Sequence, residues 1–320
     1  VGTNPDSARK GVGRITLDVE ELPAITDPKE AFLKGWIIGA PRTFALGDVD
    51  ATWQGCDLVV EGSCEIGGQE HVYLETQRSR AIPLEGKFLK IYSSTQNPSG
   101  VQRHVAGVLG IPIHNVEVEV KRLGGGFGGK EDQATPWACM AALAAWHTGK
   151  PVELALRRAD DFKMTGKRHP YTSDFKIGVT RDGKILAYEA NHYQNSGATA
   201  DLSTAVLERT LLHSANSYYI PNVRMFGVCC RTNLPPNTAC RGFGAPQGMF
   251  VLECALAKAA EKLGMPREEI QRRNLIKEND RFPYGQQAKN CHAQTAWDRA
   301  TERYGLPAAI SRVDAYNKTH

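Results

Sequence analysis

The eight cysteines of this chain, Cys56, Cys64, Cys139, Cys229, Cys230, Cys240, Cys254 and Cys291, include no Cys-x-x-Cys pair. Iron–sulfur ligation or a zinc site within the chain is therefore not expected. Nor is the chain a short, cysteine-dense scaffold of the secreted kind, so reduced, mostly buried thiols and a cytoplasmic setting are the expectation. No apolar run approaches the ~20 residues of a membrane span; the longest lies around Cys139–Trp146. The first residues, VGTNPDSARKG, contain no apolar leader core. Lys and Arg total 39 against 35 acidic residues, a net charge of +4, with no basic block interleaved with aromatics. Nucleic-acid binding is not expected from so thin an excess. No internal repeat or low-complexity tract occurs. Neither terminus reads as a domain boundary, and a piece of a longer protein is expected.

At 320 residues, 41% hydrophobic and 23% charged, the chain has ordinary globular composition and room for about two domains. Alternation at Ile15, Leu17 and Val19 predicts a strand, and Asp27-Pro28-Lys29-Glu30 predicts a capped helix start. Further strands are predicted at 58–64, 72–77, 88–94, 116–120 and 152–156. Helices are predicted from Asn97 to Val108, over the Ala-rich 132–147, and at 203–213, 247–263, 267–274 and 293–304. Arg181-Asp182-Gly183 between 172–180 and 184–192 is a hairpin signal. Strands and helices mix without strict alternation, which predicts an α+β fold with mixed sheets.

The densest chemical signal is Gly124-Gly-Gly-Phe127-Gly128-Gly129-Lys130-Glu131, five glycines around one aromatic. Such a backbone can come close to a ligand and present its N–H groups, with a following helix favouring an anion or an oxo oxygen. A tight packing turn would account for one or two of these glycines. The segment matches a phosphate-binding P-loop at all but the last position. Where that motif places a magnesium-bound hydroxyl, Glu131 would repel the phosphates, which argues against nucleotide hydrolysis. In Gly68-Gln69-Glu70-His71, Gln69 carries donor and acceptor groups suited to an oxo ligand. His71 is read as a hydrogen-bonded histidine with no ligand role. Arg209 lies on a presumed helix, and Arg241-Gly242-Phe243-Gly244 sets a second glycine-flanked aromatic beside a cation. Together these suggest a flat ligand held between aromatic faces and polar hooks.

The stretches GGQEHVYLET, GGGFGGKE, DLSTAVLERTLLH and TNLPPNTACRGFGAPQ together resemble the molybdenum hydroxylases, and among them the xanthine dehydrogenase/oxidase group, over nearly the whole chain. The resemblance implies the end of a small α/β hammerhead-like domain (1–30), a first molybdopterin-binding domain (31–275) and the truncated start of a second (276–320). It implies a molybdopterin-bound molybdenum with oxo and sulfido ligands. Gln69 and the amides around Phe127 and Gly128 would meet its oxo side, and Arg241 would line the cofactor. Gln69, Phe127 and Arg241 would stand beside the metal rather than ligate it. Phe243 would stack on a purine, with Glu131 and Arg209 hydrogen-bonding its opposite edges and acting in catalysis. Hydroxylation of hypoxanthine to xanthine to urate is the implied activity. Uncharged residues at those two positions would suit an aldehyde, and a cysteine in the Phe127 loop would suit carbon monoxide. The family's catalytic glutamate lies in a segment beyond this chain, so the chain alone is expected to be inactive and to expose apolar surface. [2Fe–2S] clusters and FAD are implied on other domains or subunits of a cytoplasmic, dimeric assembly. Another N-heterocycle or aldehyde as substrate, or a scaffold without cofactor, remain as alternatives.

Overall fold

A computed structural model describes residues 1–320. The first elements are helices α1 (Pro5–Val12) and α2 (Pro28–Leu33), strand β1 (Arg42–Leu46), the short helix α3 (Val49–Thr52) and strands β2 (Leu58–Ile66), β3 (Arg78–Leu84) and β4 (Phe88–Ser93). There follow α4 (Pro98–Leu109), β5 (Val116–Glu119), α5 (Thr135–Thr148), β6 (Val152–Ala155), α6 (Arg158–Met164), β7 (Tyr171–Val179) and β8 (Ile185–Gly197). The chain continues with α7 (Ser203–His213), β9 (Asn222–Arg231), α8 (Ala245–Leu263), α9 (Arg267–Arg273), α10 (Ala293–Arg303) and α11 (Leu306–Asn317).

Two mixed sheets result. The larger has the order β1-β9-β8-β7-β2, with β8 and β9 parallel and the other pairs antiparallel. The hairpin signal is realised between β7 and β8, where Gly183 takes φ +79° in the turn. On one face lies α8, whose Val251, Leu252, Ala255, Leu256 and Ala259 recur at helical spacing. They pack against Ile177, Tyr188, Val223 and Met225 in a core of 21 buried residues. The smaller sheet, β5-β4-β3-β6, carries α4 and α5 on one face. Helix α5 meets it through Ala138, Ala141, Ala142 and Ala145, whose small side chains permit close approach. Its other face is a charged concavity of about 470 Å³ lined in part by Arg78, Arg80, Tyr92, Glu119 and Glu153.

The caps follow the sequence: Asp27 Oδ1 accepts from Glu30 N (2.7 Å) and Asn97 Oδ1 from Gly100 N (3.0 Å). Two predicted strands are absent. Residues 15–19 form no strand; Ile15, Leu17 and Val19 are exposed, and no sheet edge lies beside them to supply ladder bonds. Residues 72–77 form a loop, because Val72 takes φ +51° and Tyr73 and Gln77 are drawn to buried Asp161, at 2.7 Å from the Tyr73 hydroxyl and 2.7 Å from the Gln77 amide. The strand starts only at Arg78. No helix is long and apolar enough to cross a membrane.

Leu252 is fully buried beneath the larger sheet, whereas Leu84 is 47% exposed. Leu252→Ala should cost about 2–5 kcal/mol of stability, and Leu84→Ala no more than about 0.5 kcal/mol. Urea denaturation of the two variants checks this; equal losses would contradict the placement of the core.

Candidate functional site

Between the two sheets, the loops leaving β2, β4, β5, β8 and β9 and the loop entering β7 converge on one seam. The glycine loop is shaped by close approach of protein to protein. A Cβ on Gly128, at φ +96°, would lie 2.8 Å from the Ala239 carbonyl, and one on Gly126 would lie 2.3 Å from Gln96 Oε1. Each of the other three glycines likewise meets chain atoms. Packing therefore accounts for all five, more than the one or two expected. Phe127 takes φ +54° between Gly126 and Gly128, and Phe243 takes φ +52° between Gly242 and Gly244, so the two glycine-flanked aromatics share one backbone turn. Phe127 is left 48% exposed.

Lys130 fixes this loop from behind. Its Nζ donates to Glu75 O and Ser94 Oγ, both at 2.7 Å, and sits 4.4 Å from the Tyr73 ring centroid. The Glu75 carboxylate, 3.8 Å away, accepts from Ser94 Oγ and from Gly124 N. Burial, partly offset by Glu75, brings the Lys130 pKa down to about 8. With its ammonium enclosed in this way, Lys130 cannot reach a nucleotide phosphate, and the P-loop alternative fails. Gln96 Oε1 accepts from the amides of Gly128 (3.0 Å) and Lys130 (3.2 Å). The Gly128 amide, expected to face a cofactor oxygen, is thus already engaged; the Phe127 amide has no partner in the chain.

Three of the sequence-identified residues are linked through one that was not foreseen. Arg168 donates through Nε to Gln69 Oε1 (2.8 Å) and through Nη2 to the Arg241 carbonyl (2.7 Å), and Arg241 N donates to Phe127 O (2.9 Å). No pattern in Thr165-Gly-Lys-Arg168-His-Pro signals this role. Arg209, on α7, lies with its guanidinium 5.7 Å from the Phe243 ring centroid, while neighbouring Glu208 pairs with Arg42 at 3.5 Å. Glu131 makes no hydrogen bond or ion pair with the other candidates. Its pKa is raised by burial and by the charges of Asp132 and Asp201. Asp201 is itself raised by burial, although it accepts from Thr238 Oγ1 (2.6 Å), Gln133 Nε2 (2.7 Å) and Leu202 N (2.6 Å). His71 is buried with Nε2 against Ala239 O at 2.7 Å, and burial lowers its pKa, in keeping with a neutral, hydrogen-bonded ring. No three His, Cys, Asp or Glu side chains gather in a metal-binding group.

The seam holds unspent donors: the Phe127 amide and the buried Nη1 of Arg168, which lacks a partner. With Arg241 exposed nearby, this donor set fits an oxygen-rich, anionic group. The model of the molybdopterin cofactor-binding domain matches residues 34–275. The chain belongs to the molybdopterin cofactor-binding domain family. Xanthine dehydrogenase/oxidase of Rattus norvegicus is 39% identical over 319 residues, 99% of this chain and 24% of that protein. Xanthine dehydrogenase of Oryza sativa subsp. japonica is 41% identical over 324 residues, 100% of this chain and 24% of that protein. The chain thus spans 24% of the length of these curated relatives. Among solved structures, aldehyde oxidoreductase from Desulfovibrio gigas superposes with a TM-score of 0.87 at 26% identity, covering 95% of this chain and 34% of that one. Quinoline 2-oxidoreductase from Pseudomonas putida 86 gives 0.87 at 23% identity, covering 99% and 42%, a likeness of fold alone.

As a molybdopterin cofactor-binding domain, the chain offers a pH test of its acidic corner. A carboxyl with a raised pKa binds its proton more tightly folded than unfolded, so stability falls as pH rises from the ordinary value of 4.5 through the raised one. Glu131→Gln should therefore raise the melting temperature at pH 7, and the gain should vanish below pH 4.5. A gain independent of pH would contradict the assigned cause.

Proposed function

We propose that this chain forms one wall of a molybdenum site that hydroxylates purines, taking hypoxanthine to xanthine and xanthine to urate. The observation that carries the reading is the Arg209–Phe243 pair: a cation with no carboxylate partner, set over an aromatic ring. A flat heterocycle would gain a ring to stack on and a cation at one edge, while Glu131 supplies a hydrogen-bonding carboxyl. Left empty by an apolar aldehyde, two such polar groups would be costly in a dry pocket. The names of the rat and rice relatives point the same way.

Gln69 and the Phe127 amide would hold the cofactor on its oxo side, and Arg241 would line it. When bound, the molybdenum cofactor supplies the two-electron oxidation and activates the oxygen nucleophile. This chain's residues orient and stabilise: Glu131 positions the ring, and Arg209 offsets the negative charge that builds on it during attack. The same reading divides the chain at 1–30, 31–275 and 276–320. It places [2Fe–2S] clusters and FAD on other domains or subunits of a dimeric, cytoplasmic assembly. It also assigns exposed Val72 and Leu74 to surfaces that the remainder of the enzyme would cover, and, with the family's catalytic glutamate on another segment, the chain alone does not turn over.

The test uses the natural full-length enzyme with its partner subunits, comparing xanthine with benzaldehyde and a dye as electron acceptor. Xanthine turnover is the expected result, and turnover of benzaldehyde alone contradicts the purine reading. Arg209→Met should lower kcat on xanthine on the order of 100-fold; an unchanged kcat removes Arg209 from the proposed role.

A further inference from the structure

We propose that Thr210 is a positioning residue of this site: its buried hydroxyl ties helix α7, which carries Arg209, to the turn that carries Phe243, and so sets the cation in register with the ring. The inference rests on the reading above, in which Arg209 and Phe243 meet a flat heterocycle.

Arg209 is exposed on α7 and Phe243 is half-buried in the loop before α8, so their 5.7 Å approach depends on how the two segments are joined behind them. The join is made at Thr210, fully buried and one residue along from Arg209. Its Oγ1 lies 3.1 Å from the carbonyl of Gly244, the residue after Phe243, and 3.0 Å from the Val206 carbonyl of its own helix. A threonine within a helix commonly makes the second of these contacts alone. The first exists because the two backbones touch. A Cβ on Gly244, at φ +99°, would clash with Val206 O and lie 2.7 Å from Thr210 Oγ1. One turn on, a Cβ on Gly248 would lie 2.5 Å from Thr210 O. The Phe243 turn and the start of α8 are therefore seated directly on α7 at this residue.

A buried polar chain sets the angle of α7 beneath that contact. Gln194 Nε2, on β8, donates to Ser203 O at the first residue of α7 (2.9 Å). That turns the Gln194 oxygen towards the hydroxyl of Tyr171 on β7, which donates to it. The Tyr171 oxygen in turn stands 2.8 Å from Thr210 Oγ1. With its own proton spent on Gln194, Tyr171 can only accept, so the single Thr210 proton is shared among Tyr171, Gly244 and Val206. Helix α7 is thus held at Ser203 and again about two turns later at Thr210. Gln194, Tyr171 and Thr210 are all buried, where water does not replace a lost donor. Thr210→Val keeps the shape but removes the donor and sets a methyl group against three oxygens, whereas Thr210→Ser keeps the donor.

The experiment uses the natural full-length enzyme carrying Thr210→Val, Thr210→Ser, Arg209→Met or the double substitution Arg209→Met/Thr210→Val. The Arg209–Phe243 separation is read from crystals of the single Thr210 variants, and kcat per bound molybdenum and KM on xanthine from all four. Thr210→Val should displace Arg209 from Phe243 by about 1 Å and lower kcat about 10–100-fold with little change in KM. Thr210→Ser should keep the wild-type separation and kcat. In the Arg209→Met background, Thr210→Val should cost no more than about twofold. A role in stability alone would lower the melting temperature and leave both the separation and kcat per molybdenum unchanged. A wild-type separation or kcat in Thr210→Val, a Thr210→Ser variant as impaired as Thr210→Val, or losses that multiply in the double variant would overturn the proposal. Should Thr210→Val fail to fold, Thr210→Ala, which removes the donor without setting a methyl group against the oxygens, decides by the same criteria. Because the separation is measured without substrate, a shifted Arg209 in an enzyme that does not oxidise xanthine overturns the purine reading alone. An unshifted Arg209 in one that does overturns only the role of Thr210.

Discussion

Lys130 is fully buried, and its ammonium is held by a carbonyl, a hydroxyl, an aromatic face and a nearby carboxylate contributed by the chain entering β3 and leaving β4, at one end of the smaller sheet. Taking an ammonium out of water costs several kcal/mol unless its partners are in place, so this cage defines one arrangement of the seam. With Lys130 anchored, residues 124–131 cannot shift independently of the chain entering β3 or leaving β4. Phe127 is then fixed, and through the bond from Arg241 N to Phe127 O the second glycine loop is registered against the first. The pKa of about 8 implies that the ammonium retains its charge at neutral pH.

Around that anchor the charges are sorted. Arg168 and Arg241 supply donors without carboxylate partners, whereas Glu131, Asp132 and Asp201 crowd one corner, with the carboxyls of Glu131 and Asp201 pushed towards their neutral forms. One portion of the seam thus favours an anionic group, and the other offers a carboxyl able to hydrogen-bond a neutral heterocycle. The two needs of the proposed site, to hold a charged cofactor and to orient an uncharged ring, fall on different residues of one scaffold.

Much of the fold was legible because its signals were local. The Asp27 and Asn97 caps, the Arg181-Asp182-Gly183 turn and the spacing along α7 and α8 mark their elements without help from distant residues. Where tertiary contacts overrode local preference, the sequence misled. The alternation at 15–19 has no neighbouring edge to pair with, and 72–77 is pulled out of strand geometry by Asp161, which lies more than 80 residues away along the chain. Strands β1 and β9 carry no clear alternation and went unforeseen. In the site, the glycine cluster was visible, but not its reason: close contact with Glu75, Gln96, His71 and Ala239 can be known only once the loops are assembled. Lys130 looked like a phosphate ligand because the motif does not reveal which way its side chain turns. Arg168 had no pattern to mark it, since its partners at 69 and 241 are remote in sequence.

The account stands on the claim that Gln69, Phe127 and Arg241 adjoin a bound molybdenum cofactor. Anomalous diffraction at the molybdenum absorption edge, from crystals of the natural full-length enzyme, addresses that claim most directly. The account predicts one anomalous peak per copy of this domain, at the seam and beside those three residues. A peak elsewhere in the enzyme, or a seam filled by protein with no molybdenum signal, would contradict it.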